Sequence, residues 1–128
     1  MPTKNDCITD EIHELGLQLG FDSLAFDSRG SLQLAIENTG ILGFERQDQA
    51  VLIYLMRYVG HPDKELLQRA LEICHYDHTS LDWCQASLIR DHQLTFATKL
   101  SRSEFRVATI ESSLDKLSEL HDQVMKSV

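Results

Sequence analysis

SLQLAIENTGILGFERQDQAVLIYLMRYVG, residues 31–60, contains three apolar segments separated by two short polar turns. In the first segment Leu32, Leu34 and Ile36 alternate with polar or small residues. This period of two is typical of a β-strand with one buried face. The last segment, residues 50–59, is apolar on both faces, as expected for a strand in the middle of a sheet. The stretch therefore predicts an antiparallel meander of three strands.

An amphipathic helix precedes this meander. Its apolar residues are spaced by four, three and four positions, which places them on one helical face: Ile8, Ile12, Leu15 and Leu19. Gly20 follows directly, and glycine is a common residue at the end of a helix. Between the helix and the meander, Leu24 to Phe26 alternate as a short lead-in strand.

A second helix is predicted after the meander. Pro62 suits its first turn, where a missing N–H costs nothing. Its broad apolar stripe consists of Leu66, Leu67, Ala70, Leu71 and Cys74. We expect this helix to end near Tyr76 to His78 and to be followed by strands at residues 81–89 and 93–100.

The last segment predicts the longest helix of the chain. Ser101 and Glu104 have the spacing of a capping box, in which each side chain binds a backbone N–H of the other residue. Apolar-face residues then recur at steps of three and four: Val107, Ile110, Leu114, Leu117, His121 and Val124. The element order is α-β-β-β-α-β-β-α, which predicts an α+β fold. In it, an antiparallel twisted sheet packs with helices in a single domain of residues 1–128.

Composition and charge argue against several functional classes. With 20 acidic and 12 basic residues, the chain has a formal net charge of −8, which repels nucleic acid. No apolar run approaches the ~20 residues of a membrane-spanning helix. The N-terminal stretch is too polar and acidic for a secretory signal, so we expect a cytosolic protein. Three cysteines without a CxxC pair, Cys7, Cys74 and Cys84, indicate free thiols in a reducing compartment.

Metal binding and catalysis are not favoured by the sequence. The richest cluster of metal-ligating residue types is Cys74 to His78, with Asp82 and Cys84 nearby, but its spacing fits no standard zinc motif. There is no glycine-rich phosphate loop and no GxSxG nucleophile elbow. His13, His92 and His121 are expected to be solvated. We therefore predict no cofactor, no metal and no enzymatic activity.

The apolar side chains predict a protein partner. On the central strand Val51, Ile53 and Leu55 face one way, whereas Tyr54, Met56 and Tyr58 face the other. A single layer of helices cannot cover both faces of the sheet. Apolar surface left uncovered in this way is typical of a protein-binding site.

Residues 15–60 and the order of elements resemble the class I chaperones of bacterial type III secretion, the Tir-chaperone or CesT-type family. The resemblance continues through the second helix, the two later strands and the long last helix, so it spans essentially the whole chain. The features that carry it are a helix ending in Leu19-Gly20, a turn at Phe26-Asp27 with Gly30, and a strand ending in Ile36-Glu37.

The resemblance implies a homodimeric cytoplasmic protein of a bacterium with a type III secretion system, connected with virulence. Each dimer would bind the N-terminal segment of an effector, keep it non-globular and aid its delivery to the secretion apparatus without using ATP. The implied effector-binding residues lie on the first helix and the neighbouring strands: Ile8, Ile12, Leu15, Leu19, Phe21, Leu24, Phe26, Leu34 and Ile36. The implied dimer interface is formed by Leu66, Leu67, Ala70, Leu71, Cys74 and Trp83.

Two alternatives stay open at the level of sequence. One is a regulatory protein of the same fold that sequesters a transcriptional regulator or another chaperone. The other, less favoured, is a small metal-dependent enzyme built around His75, His78 and Cys84. Which effector is bound, and whether the dimer contains two copies of this chain or a related subunit, does not follow from the sequence.

Overall fold

The structure is a computed structural model that describes residues 6–21, 24–60, 62–75, 84–90 and 92–126. The helices are α1 (Asp6–Leu19), α2 (Lys64–His75) and α3 (Val107–Lys126), with a short 3₁₀ turn at Arg102–Glu104. The strands are β1 (Ser31–Ile36), β2 (Gly40–Arg46), β3 (Ala50–Tyr58), β4 (Gln85–Ile89) and β5 (Gln93–Ser101). This order confirms the predicted α+β fold. None of the described helices has the length and apolarity needed to cross a bilayer.

The five strands form one antiparallel sheet in the order β1-β2-β3-β5-β4. The register places Phe44 of β2 opposite Ile53 of β3, and Leu55 of β3 opposite Phe96 of β5. The strand that is apolar on both faces, β3, therefore lies in the middle of the sheet, as its composition predicts.

One face of the sheet forms the core with all three helices. Val51, Ile53 and Leu55 of β3 are completely buried on this face, where they join apolar residues from α1, α2 and α3 in one cluster. α3 lies against β3 and β5, and both α1 and α2 contact α3. The opposite face of the sheet, which carries Leu52 and Tyr54, has no helix of the described residues packed on it.

The end of α1 follows its sequence signal, whereas the start of α2 differs from the prediction. Gly20 has a φ of 88°, and the N–H of Phe21 donates to the carbonyl of Gly16 at 2.8 Å, which closes α1 with the predicted glycine. At the start of α2, the Asp63 carboxylate accepts the N–H of Leu66 at 2.9 Å. Asp63 is therefore the N-cap and α2 begins at Lys64, so Pro62, which was expected in the first turn, lies before the helix.

Three further predicted boundaries differ from the structure. Leu24 to Phe26 form no strand, because the turn that begins at Asp27 folds this segment against α1 instead. β4 begins at Gln85, and residues 81–83 of the predicted strand lie outside the described residues. The capping box is present, since the Ser101 N–H donates to Glu104 at 2.9 Å, but it caps the 3₁₀ turn.

α3 starts only at Val107 because Phe105 interrupts the helical path. The Phe105 side chain is buried and its ring lies edge-on to that of Phe44, with centroids 6.1 Å apart. Placing this ring in the core turns the backbone away from helical geometry between the 3₁₀ turn and α3. Aromatic packing at one residue therefore overrides a local capping signal.

Candidate functional site

Four of the residues predicted to bind an effector lie in the core. Ile8, Ile12 and Leu15 form the side of α1 that packs on the rest of the molecule, and Leu34 points inward from β1. Each exposes 5% of its surface or less. The prediction that these four side chains form a contact surface is therefore corrected: α1 has a single regular apolar stripe, and the fold uses it for its own packing.

The other predicted residues of this group remain accessible. Leu19 is 37% exposed, whereas Phe21, Leu24, Phe26 and Ile36 are partly buried against the edge of the core. The sequence analysis missed Leu17, which is 55% exposed on the last turn of α1. Its position outside the apolar stripe was the signal that it does not belong to the core.

A cleft of about 370 Å³ lies between α1, the segment after it and the end of β2; we call it the lead-in cleft. It is lined by Thr9, Ile12, Leu24, Ala25, Phe26, Asp27, Ser28, Gly30 and Arg46. The guanidinium of Arg46 lies 5.2 Å from the centre of the Phe26 ring, a cation–π distance. The cleft thus combines apolar side chains with a cation at its edge, an arrangement that accepts an apolar side chain of a peptide.

Asp27 holds the loop beside the lead-in cleft in place. Its Oδ1 accepts the backbone N–H groups of Ser31 at 2.9 Å and Arg29 at 2.8 Å. These two hydrogen bonds lower the pKa of the Asp27 carboxyl below its ordinary value. With Gly30 at a φ of 81°, they form the predicted turn that directs the chain into β1.

β1 borders the same region and is an edge strand of the sheet, as is β4 at the opposite side. An edge strand presents backbone N–H and C=O groups that an added strand can pair with. The lead-in cleft and the β1 edge are therefore two neighbouring candidate sites for an extended chain, and they include Leu24, Phe26 and Ile36 of the predicted effector-binding set.

The uncovered sheet face forms a second concavity, a groove of about 720 Å³. Its lining is mixed, with Leu52 and Met56 beside Gln85, Gln93 and Lys99. This groove is the strand face that the sequence analysis predicted to be left uncovered by a single layer of helices. The glutamines and charged residues that neighbouring strands contribute make it more polar than β3 alone suggests.

α2 carries two different faces. Leu66 and Ala70 are buried in the core, which corrects their predicted role at a dimer interface, because the inward stripe of α2 packs on α3 and β4. Leu67 and Leu71, four residues apart, form the α2 outer stripe, whereas Cys74 packs against the core beside Cys84, which assigns it to the contact between α2 and β4 instead of the predicted dimer interface. Leu71 is 59% exposed, while Leu67 and Cys74 are half-buried. Trp83 lies outside the described residues.

Among the residues that the structure describes, no group of three His, Cys, Asp or Glu side chains is placed to hold a metal ion, in the run from Cys74 to Cys84 or elsewhere. His78 and Asp82 lie outside the described residues. Cys84 instead contacts Cys74, with their Sγ atoms 2.8 Å apart. The sequence analysis treated both cysteines as separate free thiols and missed this contact.

Several solved structures of similar fold are chains of protein–protein complexes. A chain of the HopA1–SchA chaperone–effector complex superimposes with a TM-score of 0.67 at 18% identity, covering 92% of this chain and 94% of that one. A chain of the ExsC–ExsE complex gives a TM-score of 0.72 at 12% identity, with 96% and 92% covered. A chain of the heterodimeric ExoU–SpcU complex from the type III secretion system of Pseudomonas aeruginosa gives 0.63 at 20% identity, with 88% and 93% covered.

At these identities the structural neighbours establish the fold, and they confirm the layout predicted from the sequence. Among curated protein sequences, none is similar enough to count as a match. The family model described as type III secretory system chaperone SycN, however, matches residues 7–125, nearly the entire chain. The chain therefore belongs to the type III secretory system chaperone SycN family.

Proposed function

We propose that this protein is a class I secretion chaperone of the CesT or Tir-chaperone type that acts in the bacterial cytoplasm. It binds the N-terminal segment of a type III secretion effector, keeps that segment non-globular and aids its delivery to the secretion apparatus. The match of the chaperone family to residues 7–125 is the observation that carries this proposal. The protein acts as a single domain of residues 1–128, by binding rather than by catalysis.

The effector segment binds along the lead-in cleft and the β1 edge. Its apolar side chains contact Phe26 and Leu24 in the cleft and Leu19 at the end of α1, whereas its backbone pairs with β1. Phe21 and Ile36 extend the apolar contacts on either side. Leu17 and Arg46 are added to the predicted set because of their exposure and position.

This mode of binding suits a client whose sequence varies. A disordered segment that folds on binding buries on the order of 1,000–3,000 Å² and loses several kcal/mol to its own ordering. Apolar burial at about 25 cal/mol per Å² offsets that loss without requiring a particular residue at each position. Backbone pairing at a strand edge is likewise independent of sequence.

The homodimer forms through the α2 outer stripe. Leu71 is the more exposed of its two residues, and Leu67 lies one turn before it. A second copy of the stripe against the first removes Leu71 from water. The predicted contribution of Trp83 to this interface remains part of the proposal.

The direct test is co-expression with effectors encoded near the gene, followed by pull-down and titration calorimetry with the N-terminal effector segment. We expect Leu19→Asp and Phe26→Asp to weaken binding at least tenfold, because each places a charge on the apolar surface. Met125→Asp is the matched control, since Met125 is 50% exposed on α3. Thermal unfolding of each variant checks that the fold is retained.

Two results would contradict the proposal. One is the absence of any complex with the N-terminal segments of these effectors. The other is a complex that Met125→Asp weakens as much as Leu19→Asp does, because the binding surface would then lie elsewhere on the molecule.

A further inference from the structure

Cys74 and Cys84 make a contact between two reactive side chains that effector binding does not explain. Cys74 lies in the last turn of α2, and Cys84 immediately precedes β4. Both side chains are half-buried, and their Sγ atoms are 2.8 Å apart. A disulfide bond is about 2.05 Å long, so bond formation requires only a small movement of the two side chains.

We propose that Cys74 and Cys84 are a redox-sensitive thiol pair, which a low-molecular-weight disulfide such as oxidised glutathione converts into an intramolecular disulfide joining α2 to β4. The proposal concerns the state of these two thiols and does not depend on which effector is bound. It also refines the expectation of free thiols, because the pair stays reduced in a reducing compartment and responds when that compartment becomes oxidising.

The two thiols have different roles in the reaction. A hydrogen bond from the Cys84 thiol lowers the pKa of Cys74, and the same bond, with burial, raises the pKa of Cys84. These pKa shifts favour Cys74 as the attacking thiolate and Cys84 as the resolving thiol, an assignment that the single variants described below test.

The exchange proceeds in two balanced steps. The Cys74 thiolate attacks one sulfur of the small disulfide, which breaks its S–S bond and releases one small thiolate. Cys84 then loses its proton, and its sulfur attacks Cys74 Sγ and displaces the second small thiolate. The protein loses two electrons and two protons, and the small disulfide is reduced to two thiols.

The new bond would hold the C-terminal end of α2 against the start of β4. These two elements already contact each other in the reduced protein, so the bond fits the existing packing. A cross-link between residues 74 and 84 also restricts the unfolded chain, which stabilises the folded state. Oxidation is therefore expected to raise the temperature of unfolding.

The test equilibrates the full-length native protein in glutathione buffers of increasing oxidised fraction, with a chelator present. Free thiols are then blocked with N-ethylmaleimide, and the protein is analysed by mass spectrometry before and after digestion. We expect a species lighter by two hydrogen atoms, a cross-linked peptide containing Cys74 and Cys84, and a Cys7 that is alkylated. An alkylated Cys74 and Cys84 at every ratio would overturn the proposal, as would bonds that join different chains or include Cys7.

Two variants test the assigned roles. With Cys84→Ser, the reaction is expected to stop at a glutathione adduct on Cys74, because the resolving thiol is missing. With Cys74→Ser, Cys84 is expected to react at least tenfold more slowly. Equal reactivity of the two variants would contradict the assignment of Cys74 as the attacking thiol. A lower unfolding temperature for oxidised wild-type protein would show that the fold does not accommodate the bond.

Discussion

Arg57 joins three parts of the molecule through one guanidinium group. Its Nε donates to the carbonyl of Thr39 in the β1–β2 turn at 2.5 Å, while Nη1 and Nη2 donate to Asp122 at 2.8 Å and Ser118 at 2.7 Å on α3. The Asp122 side chain is 61% exposed, so its ion pair contributes little by itself. The arrangement depends instead on the planar geometry of the guanidinium, which directs three donors to fixed positions.

Replacing Arg57 with lysine is expected to lower the free energy of unfolding by about 1–2 kcal/mol, because a single ammonium cannot satisfy all three partners. Urea denaturation of the wild type and Arg57→Lys measures this difference. Asp122→Asn serves as the matched variant and should lose less than half as much. Equal losses would show that the ion pair, rather than the bonds to Thr39 and Ser118, accounts for the effect.

His121 is buried, contrary to the expectation that it is solvated. Its Nε2 lies 2.8 Å from the carbonyl oxygen of Leu55, and its ring packs edge-on against Phe96 at 4.8 Å between centroids. Burial lowers its pKa to about 4, and the nearby Arg57 cation acts in the same direction, against the bond to Leu55 and the Asp122 charge. The neutral imidazole therefore donates from Nε2 to Leu55.

This histidine should make the protein less stable in mild acid. The folded-state pKa of His121 is about 4 and the ordinary value is 6.5, so between these values the unfolded chain binds more protons than the folded one. The free energy of unfolding then falls as the pH decreases from about 6.5 to about 4, by roughly 3 kcal/mol in total. Urea denaturation across this range should show a steeper fall for the wild type than for His121→Gln. Parallel curves would contradict the prediction.

Among the secondary-structure elements, α1 and α3 are tied by a side chain as well as by packing. The Glu11 carboxylate of α1 accepts the N–H of Val107, the first residue of α3, at 2.8 Å. The bond satisfies one of the free donors at the helix start and places a negative charge at the positive end of the helix dipole. Glu11 therefore caps the start of α3, whereas Ser101 and Glu104 cap the preceding 3₁₀ turn.

Removing this distant cap is expected to be measurable. Glu11→Ala should lower the free energy of unfolding by about 1 kcal/mol, as loss of a capping side chain does in other helices. Glu11→Gln keeps an acceptor without the charge and should lose less. Glu14→Ala, an exposed position on the same helix, is the control in urea denaturation. A loss at Glu14 equal to that at Glu11 would mean that helix propensity alone is being measured.

The β1–β2 hairpin depends on a glycine that meets two requirements. Gly40 has a φ of 134°, and a Cβ at this position would clash with the backbone carbonyl of Met56 on β3. Gly20 at the end of α1 also has a positive φ, of 88°, but open space surrounds it. A side chain at Gly20 would therefore introduce backbone strain alone, whereas a side chain at Gly40 would introduce both backbone strain and a steric clash.

Alanine at these two positions should give different losses. Gly20→Ala carries only the left-handed penalty of about 1–2 kcal/mol. Gly40→Ala adds a clash with backbone that has no rotamer to change, so its loss should be at least twice as large. Urea unfolding of the two variants compares their losses in free energy of unfolding. Similar losses would contradict the prediction, because they would show that the hairpin can move away from β3 at little energetic cost.

At the scale of the whole molecule, the proposed dimer depends on the α2 outer stripe. Leu71→Glu places a charge on this stripe and is expected to convert the protein from about twice its chain mass of 14.6 kDa to a single chain in light scattering. Met125→Glu, on α3, should leave the mass unchanged. A wild-type protein that is monomeric at micromolar concentration, or a Leu71→Glu variant that stays dimeric, would exclude this interface.

The sequence by itself determined the elements, the family and the type of function. Periods of two and of three to four positions predicted all five strands and three helices, and the resemblance to secretion chaperones is confirmed at the level of the family by the match over residues 7–125. These features are local, since they depend on residues a few positions apart. The class I assignment and the homodimer stay predictions.

Only the tertiary structure decided which apolar residues are used inside the molecule. Ile12, Leu15 and Leu34 have the same local pattern as Leu19 or Leu71, yet the first three are buried and the last two are exposed. The sulfur contact between Cys74 and Cys84 was likewise invisible in the sequence, whereas the position of His121 on the apolar face of α3 was a signal of its burial. The physical reason is that periodicity shows which face of an element is apolar, whereas exposure depends on what distant parts of the chain place against that face.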